Sequence, residues 1–318
     1  MHPYDVIAIV GPTATGKSEL ADMLAKEAGS CVVSADSMQI YRGLDIGTAK
    51  VPPTKRSVEY FGIDIVDIDE PYSAAEYQRY ARRHIDAVRA QGVVPVMCGG
   101  TGLYVRAALD EMDFPAGEQR NNPVREKWEQ FLHQHGAEAL HAELAIQDPE
   151  SAELIDVQNT KRLIRAFEMR AASTSYAEQY RTFRIRTAHY ETVYLGLTCA
   201  RDELYARIER RVDEMMAAGL VDEVRGLIER GLADTYTARH AIGYREIIAH
   251  LAGATSLERT VELIRQHTRN YAKRQLTWFR GDPRIQWIDV DARSSSEVLA
   301  RVHEALDTKI EQPQAAAE

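Results

Sequence analysis

The stretch Gly11-Pro12-Thr13-Ala14-Thr15-Gly16-Lys17-Ser18 decides the fold of the chain around it. It follows the apolar run Val6 to Val10 and opens a helical pattern that extends to Ala28, so it predicts a strand, a phosphate-binding loop and a helix. Its two glycines let backbone N–H groups close around phosphate oxygens at a helix N-terminus. Lys17 supplies a positive charge, and the Ser18 hydroxyl can ligate Mg²⁺. The loop by itself predicts a bound diphosphate, as in ATP, and leaves open which molecule carries it.

The composition is that of a globular protein with one large domain or two smaller ones. The chain has 318 residues, of which 45% are apolar, and a net charge of −9. No apolar run approaches the roughly 18 residues of a membrane span, and the N-terminus lacks a secretory signal pattern. The three cysteines are far apart and odd in number, which predicts core packing rather than a disulfide framework or a zinc site. We therefore expect a cytoplasmic protein with no membrane segment. We also expect a monomer, since no obligate protein partner is evident in the sequence.

The first hundred residues alternate between strand-like and helical patterns. The strand-like runs are Val6 to Val10, Cys31 to Ser34, Ile63 to Ile68 and Val93 to Cys98, and the helical patterns are Lys17 to Ala28, Ala74 to Gln91 and Thr101 to Leu109. A βαβ series of this kind predicts an α/β fold with a parallel sheet flanked by helices.

The middle of the chain has a different pattern. From Pro115 the β-type runs disappear, and residues 115–187 predict an all-α insertion punctuated at Gly136 and at Asp148-Pro149. The sheet is predicted to resume at Thr192 to Thr198. The expected core is then 1–114 with 188–310, and 311–318 is expected to be a disordered tail. The part of the core from 188 to 310 should contain helices at 201–218, 221–230, 244–251, 257–280 and 297–310, with a short strand at 285–288.

Ligands of open parallel sheets gather at the carboxyl ends of the strands, so the turns after the strands belong together. Ser34 to Gln39 follows the second strand and contains Asp36, which can hold a metal, accept a proton or cap a turn. The strand Val93 to Met97 ends in Cys98-Gly99-Gly100 with no acid, whereas phosphoryl-transferring enzymes usually have an Asp there to orient Mg²⁺. Thr101 is predicted at the N-cap of the next helix. Near Lys17 and Mg²⁺ we expect Asp36 to be stabilised as the anion.

Two segments are basic although the chain is acidic. Residues 158–186 contain seven Lys/Arg against two Glu, and residues 259–284 contain seven Lys/Arg against two acids. In the second segment Arg265, Arg269 and Lys273 recur every four residues, which places them on one face of a helix. Such a face can be simply solvated or can bind RNA, and these counts alone leave both open.

Taken together, the turns and basic segments resemble the tRNA dimethylallyltransferases, also called tRNA isopentenyltransferases, of the bacterial type. The resemblance spans about residues 5–290. It rests on GPTATGKS at 11–18, SADSMQIYRGLDIGTAK at 34–50, GGTGLY at 99–104, RIERRVDEMMAAGLVDEV at 207–224, AIGYRE at 241–246 and KRQLTWFR at 273–280. It implies a P-loop NTPase-like parallel sheet flanked by helices, with an all-α insertion domain.

The resemblance implies a reaction and the residues that perform it. The family transfers a dimethylallyl group from dimethylallyl diphosphate to the N6 amine of the adenosine next to the anticodon, in tRNAs that read codons beginning with U. Because no phosphoryl group moves, the missing acid after Met97 is explained. Asp36 would then be the base, while Thr101 and Arg211 would stabilise the departing diphosphate with Lys17, Ser18 and Mg²⁺.

The resemblance also implies four regions that contact tRNA and tips the basic segments towards RNA binding. They are Asp36, Ser37, Met38, Gln39 and Thr101 beside the sheet; Gln158, Asn159, Thr160, Lys161 and Arg162 in the insertion; His240, Gly243, Tyr244 and Arg245; and Lys273, Arg274, Gln275, Trp278 and Arg280.

Two other functions share part of the pattern. A nucleotide or small-molecule kinase would use the same loop and sheet but would transfer a phosphoryl group from ATP. A nucleotide-switched RNA-binding protein would need an acid-bearing loop that senses a γ-phosphate, and the sequence shows none.

Overall fold

The computed structural model describes residues 3–114, 122–291 and 293–311. Its strands are β1 Val6–Val10, β2 Val32–Ser34, β3 Tyr60–Phe61, β4 Val96–Gly99, β5 Thr192–Thr198 and β6 Ile285–Asp289. Its helices are α1 Lys17–Glu27, α2 Ala74–Arg89, α3 Gly102–Leu109, α4 Pro123–Gln147, α5 Pro149–Leu154, α6 Thr160–Ala171, α7 Tyr176–Arg184, α8 Arg201–Ala217, α9 Leu220–Glu229, α10 Tyr244–Leu251, α11 Leu257–Arg280 and α12 Ser295–Glu311. The predicted tail from 312 to 318 lies outside the described residues, as do residues 115–121 at the predicted domain boundary.

The strands form one parallel sheet in the order β3-β2-β4-β1-β5-β6. Every residue of β1 is buried, because helices cover both faces of the sheet. Val6, Ala8 and Val10 pack into the core on one face, and Ile7 and Ile9 pack into the core on the other. This arrangement confirms the predicted α/β fold.

The segment Ile63 to Ile68 is not a strand, so that prediction was wrong. The neighbouring strand β3 comprises only Tyr60–Phe61, and a single bridge joins Val66 to Tyr41. Gly62 and Asp64 have φ of 81° and 56°, which an extended strand cannot include. Ile63, Val66 and Ile68 are nevertheless buried and Ile65 is half-buried, so their pattern reflects core packing without strand geometry.

Strand β4 also begins later than predicted, at Val96 rather than Val93. It pairs with β1 on one side and β2 on the other. Pro95 has no N–H to donate, and a central strand needs that donor on each residue. The proline therefore marks where the ladder starts.

The chain divides into two compact units, one formed by residues 1–110 and 188–318 and the other by 111–187. The second unit contains α4 to α7 and has its own apolar core around Trp128, Leu140 and Phe167. Gly136 has φ 82° and ψ 175° and interrupts α4, as its place in the sequence predicts. Within the described ranges, every helix is too short or too polar to cross a membrane.

Candidate active site at the carboxyl edge of the sheet

The phosphate-binding loop connects β1 to α1. Gly11 has φ 134°, and a Cβ added there would lie 2.5 Å from the Leu197 carbonyl oxygen, so the loop passes directly over β5. Lys17 Nζ donates to the Pro12 carbonyl at 2.5 Å, and Thr15 Oγ1 donates to the same oxygen at 2.9 Å. Burial lowers the pKa of Lys17 to about 8. The loop thus holds a desolvated lysine whose charge depends on pH near neutrality.

Two cavities meet beside this loop. The small cavity, about 80 Å³, is lined by Lys17, Ser18, Cys98 and the Gly99-Gly100 turn. The adjoining cavity, about 250 Å³, has a largely apolar wall of Met38, Ile208, Val212, Met215, Ile242 and Ile264. Both cavities share Thr13, Asp36, Thr48, Ala49, Arg211 and Tyr271 in their walls. A charged group in the small cavity and an apolar group in the adjoining one would therefore meet at Asp36 and Arg211.

The Asp36 side chain is held in one orientation by its own turn. Its Oδ1 accepts the N–H of Met38 at 2.8 Å and that of Gln39 at 3.4 Å. Desolvation raises the pKa of Asp36, although these N–H groups and the charges of Lys17 and Lys50 oppose the shift. Stabilisation of the anion by Lys17 was therefore overestimated, because burial outweighs it. A carboxylate with a raised pKa is a better proton acceptor than an ordinary one.

Thr101 stands at the N-cap of α3 as predicted, but its hydroxyl does not cap that helix. Its Oγ1 accepts the Ser37 N–H at 3.0 Å and also bonds the Ser37 hydroxyl at 3.3 Å. Its backbone N–H donates to the Ala35 carbonyl at 3.1 Å. Thr101 therefore ties the Asp36 turn to the turn after β4, and its contact with a departing diphosphate stays a prediction.

Arg211 extends from α8 to the phosphate loop. Its Nη1 donates to Thr13 Oγ1 at 3.2 Å, and burial lowers its pKa while Glu214 opposes that shift. Arg207, one turn earlier, instead bonds Glu203 at 2.7 Å and the Val290 carbonyl at 3.2 Å. Of these two arginines, it is Arg211 that contacts the loop.

Glu223, on α9, organises the site from a position that sequence reasoning did not single out. Its carboxylate accepts the N–H groups of Asp45, Ile46 and Gly47 and the hydroxyl of Tyr244, at 2.6 to 3.4 Å. These bonds fix the loop that supplies Gly47, Thr48 and Ala49 to the adjoining cavity. In the sequence, Glu223 is distinguished only by lying within the motif at 207–224. Nothing in that motif indicates that Glu223 bonds the loop at 45–47.

Six of the residues predicted to contact tRNA line the adjoining cavity, namely Asp36, Met38, His240, Gly243, Arg245 and Arg274. Lys273, Arg274 and Arg280 are exposed on α11, and Trp278 is 44% exposed. Tyr244, by contrast, is fully buried, and its hydroxyl donates to Glu223 and accepts the Gly47 N–H. In this position the Tyr244 hydroxyl bonds the loop that contains Gly47, and its buried ring cannot contact RNA.

Only part of the predicted cationic face of α11 is available to bind RNA. Arg265 bonds Asp213 at 2.5 Å, and Arg269 bonds Glu209 at 2.9 Å, both on α8. These pairs arise because α8 packs along α11, which the spacing of the arginines does not reveal. Lys273 remains exposed at the end of that face.

The insertion residues belong to the second unit. Gln158, Lys161 and Arg162 are exposed, whereas Asn159 and Thr160 are half-buried at the start of α6. The Asp156 carboxylate accepts the Gln158 N–H at 2.8 Å and shapes this turn. Their contact with RNA stays a prediction.

A divalent cation would find few protein ligands here. No group of three or more His, Cys, Asp or Glu side chains suited to a metal occurs in the described ranges. Ser18 and Asp36 both line the small cavity. This donor set suits Mg²⁺, which keeps several waters and binds through substrate phosphates.

Comparison with known proteins agrees with this geometry. The family model for IPP transferase matches residues 39–282, and the model for isopentenyl transferase matches residues 4–60. The chain is 44% identical to the tRNA dimethylallyltransferase of Geobacillus thermodenitrificans over 90% of both chains. These matches confirm the resemblance and support prenyl transfer over the kinase alternative.

Solved structures show the same fold. The tRNA isopentenylpyrophosphate transferase of Bacillus halodurans superposes with a TM-score of 0.70 at 39% identity, covering 96% of each chain. A eukaryotic dimethylallyltransferase acting on tRNA superposes with a TM-score of 0.78 at 25% identity, covering 96% of this chain and 81% of that one. The P-loop NTPase-like sheet is thus shared with these enzymes, and the chain belongs to the tRNA dimethylallyltransferase family of prenyl-transferring enzymes.

Proposed function

We propose that the protein transfers a dimethylallyl group from dimethylallyl diphosphate to the N6 amine of the adenosine next to the anticodon, in tRNAs that read codons beginning with U, and releases diphosphate. One observation carries the proposal. Asp36 lies in the wall shared by the small cavity, which contains Lys17 and Ser18, and the adjoining apolar cavity. This position suits a proton acceptor that acts between a bound diphosphate and a ring or prenyl group, which supports the proposal.

The small cavity suits the diphosphate of the donor. Backbone N–H groups of Ala14 to Ser18 at the start of α1 favour an anion, and Lys17 and Arg211 add positive charge. Ser18 and the diphosphate oxygens would hold Mg²⁺, which neutralises charge that develops on the leaving group. We infer that Arg211 serves the same end, because its link to Thr13 places it at the loop.

The adjoining cavity suits the reacting carbon and the acceptor base. The N6 amine is a weak nucleophile because its lone pair is delocalised into the ring. It attacks C1 of the dimethylallyl group, the C1–O bond breaks with its electron pair going to diphosphate, and one amine proton passes to the Asp36 carboxylate. The N–H bonds from Met38 and Gln39 keep that carboxylate aimed throughout.

The adenosine must leave the anticodon stack to reach this cavity, which costs a few kcal/mol. Basic side chains can offset that cost through contacts with RNA phosphates. His240, Arg245 and Arg274 line the cavity. Lys273 and Arg280 are exposed on α11, close in sequence to Arg274. Exposed Trp278 offers a ring for stacking. Residues 158–162 of the second unit are further proposed RNA contacts. We also propose that the enzyme is cytoplasmic and works as a monomer.

The experiment that tests this function follows diphosphate release. The protein is incubated with dimethylallyl diphosphate, Mg²⁺ and unmodified tRNA, and a second reaction replaces the donor with ATP. We expect diphosphate release that requires tRNA, and no phosphoryl transfer from ATP. Phosphoryl transfer without tRNA-dependent diphosphate release would support a kinase instead.

A further inference from the structure

Gln275 differs from its neighbours on α11. It is 5% exposed, whereas Lys273 and Arg274 beside it are exposed. Its side chain lines the small cavity together with Lys17 and Ser18. A glutamine directed into the diphosphate site from a helix with an exposed cationic face requires its own explanation.

Both ends of the Gln275 amide are used. Oε1 accepts the Thr13 N–H at 2.9 Å, and Nε2 donates to the Gly100 carbonyl at 3.0 Å. Thr13 belongs to the loop after β1, and Gly100 belongs to the turn after β4. One side chain thus joins the two turns that flank the small cavity. Since Thr13 Oγ1 also accepts from Arg211 at 3.2 Å, the linkage continues to that arginine.

Helix α11 packs closely against the turn after β4. A Cβ added to Gly100 would lie 2.1 Å from Gln275 Nε2, and one added to Gly102 would lie 2.1 Å from the Trp278 ring. The side chains of α11 therefore occupy the space that these two glycines leave. A carboxamide is suited to this position because it carries a donor and an acceptor on one planar group.

We propose that Gln275 is a positioning residue for the leaving diphosphate, and not an RNA contact. It holds the phosphate loop and Arg211 in the geometry that receives the diphosphate, so that these groups need no rearrangement on binding. This role rests on the proposed function for the identity of the donor, but binding of inorganic diphosphate tests it separately.

The test compares three variants of the full chain in two binding assays. Gln275→Leu removes both hydrogen bonds at similar size, Gln275→Glu keeps the acceptor and loses the donor, and Lys273→Ala changes an exposed neighbour. Affinity for inorganic diphosphate with Mg²⁺ is measured by calorimetry, and affinity for tRNA by filter binding. Unfolding curves establish that each variant is folded.

We expect Gln275→Leu to weaken diphosphate binding about tenfold, the equivalent of one net hydrogen bond, with tRNA affinity unchanged. Lys273→Ala should weaken tRNA binding and leave the affinity for diphosphate unchanged. Unchanged diphosphate affinity with weakened tRNA binding in Gln275→Leu would overturn the proposal. If the wild type binds both ligands but transfers no prenyl group, the proposed function fails while this assignment still stands.

Gln275→Glu keeps the proposal falsifiable if the leucine variant does not fold. At high pH its carboxylate faces the Gly100 carbonyl and adds negative charge beside the diphosphate. Protonation at low pH restores a donor, so its diphosphate affinity relative to wild type should recover as the pH falls from 8 to 5. A ratio that does not change with pH would contradict the hydrogen-bonding role.

Discussion

At the scale of the residue, the chemistry depends on how burial changes two charged groups. Desolvation raises the pKa of Asp36 and lowers that of Lys17 to about 8. Each shift favours the neutral form, although the groups are of opposite charge. The proposed mechanism therefore requires a pH at which Asp36 has lost its proton and Lys17 has kept its own.

Asp36→Asn tests the base. The amide keeps the size of the side chain but cannot accept a proton, so we expect kcat to fall on the order of 10²-fold or more. Binding of tRNA should be nearly intact, because the charge removed is negative. Single-turnover rates and filter binding measure the two effects. Near-normal turnover would remove Asp36 from this role.

The pH dependence of kcat/KM for the donor tests both groups in the free enzyme. As the pH rises, kcat/KM should first increase as Asp36, whose pKa burial raises, loses its proton. It should then decrease above about pH 8, where Lys17 loses its charge. A profile that stays flat from pH 7 to 9 would show that the charge of Lys17 does not assist donor binding.

At the scale of the element, α11 presents different residues to different partners. Arg265 and Arg269 face carboxylates of α8, Gln275 faces the phosphate loop, and Lys273 is exposed. Of the three basic residues that recur every four positions, Arg265 and Arg269 form ion pairs within the protein, and we assign Lys273 to RNA binding.

Lys273→Ala tests this division. Loss of one phosphate contact should weaken tRNA binding and reduce the slope of log K against log salt by roughly 0.7 to 0.9. Affinity for inorganic diphosphate should not change. The double variant with Arg269→Ala offers a control, since Arg269 is already paired with Glu209 and should add little to the change in slope. An unchanged slope for Lys273→Ala would show a merely solvated face.

The loop 45–49 depends on one carboxylate in α9. Glu223→Ala removes the acceptor of three N–H groups, and we expect the free energy of unfolding to fall by about 1–3 kcal/mol. Tyr244→Phe removes the bond to Glu223 and the bond from the Gly47 N–H but leaves the Glu223 carboxylate in place, and it should cost about 1 kcal/mol. Denaturant unfolding curves compare the two. Equal stability of both variants and wild type would show that water replaces these bonds freely.

At the scale of the whole molecule, the parallel sheet brings distant turns together. Residues after β1, β2 and β4 reach one edge, where α8 and α11 complete the cavity walls. The net charge of −9 is compatible with an RNA partner because basic groups are concentrated locally.

Much of this arrangement follows from local pattern. Strand β5 and helices α10 and α11 have the predicted bounds, because their apolar periods and flanking residues are unambiguous. The prediction of a strand at Ile63 to Ile68 was wrong because the apolar residues of a turn that packs into the core have the same pattern as a strand. The pairing of Arg265 and Arg269, the burial of Tyr244 and the loop bonds of Glu223 depend on which helices pack together. No local spacing encodes that information.

The mass of the nucleoside next to the anticodon tests the central claim most directly. Unmodified tRNA is incubated with the protein, Mg²⁺ and dimethylallyl diphosphate, then digested, and its nucleosides are identified by mass spectrometry. We expect that adenosine to gain a dimethylallyl group on N6 with the wild-type protein and far more slowly with Asp36→Asn. An unchanged adenosine mass with folded protein that binds both substrates would contradict the assignment.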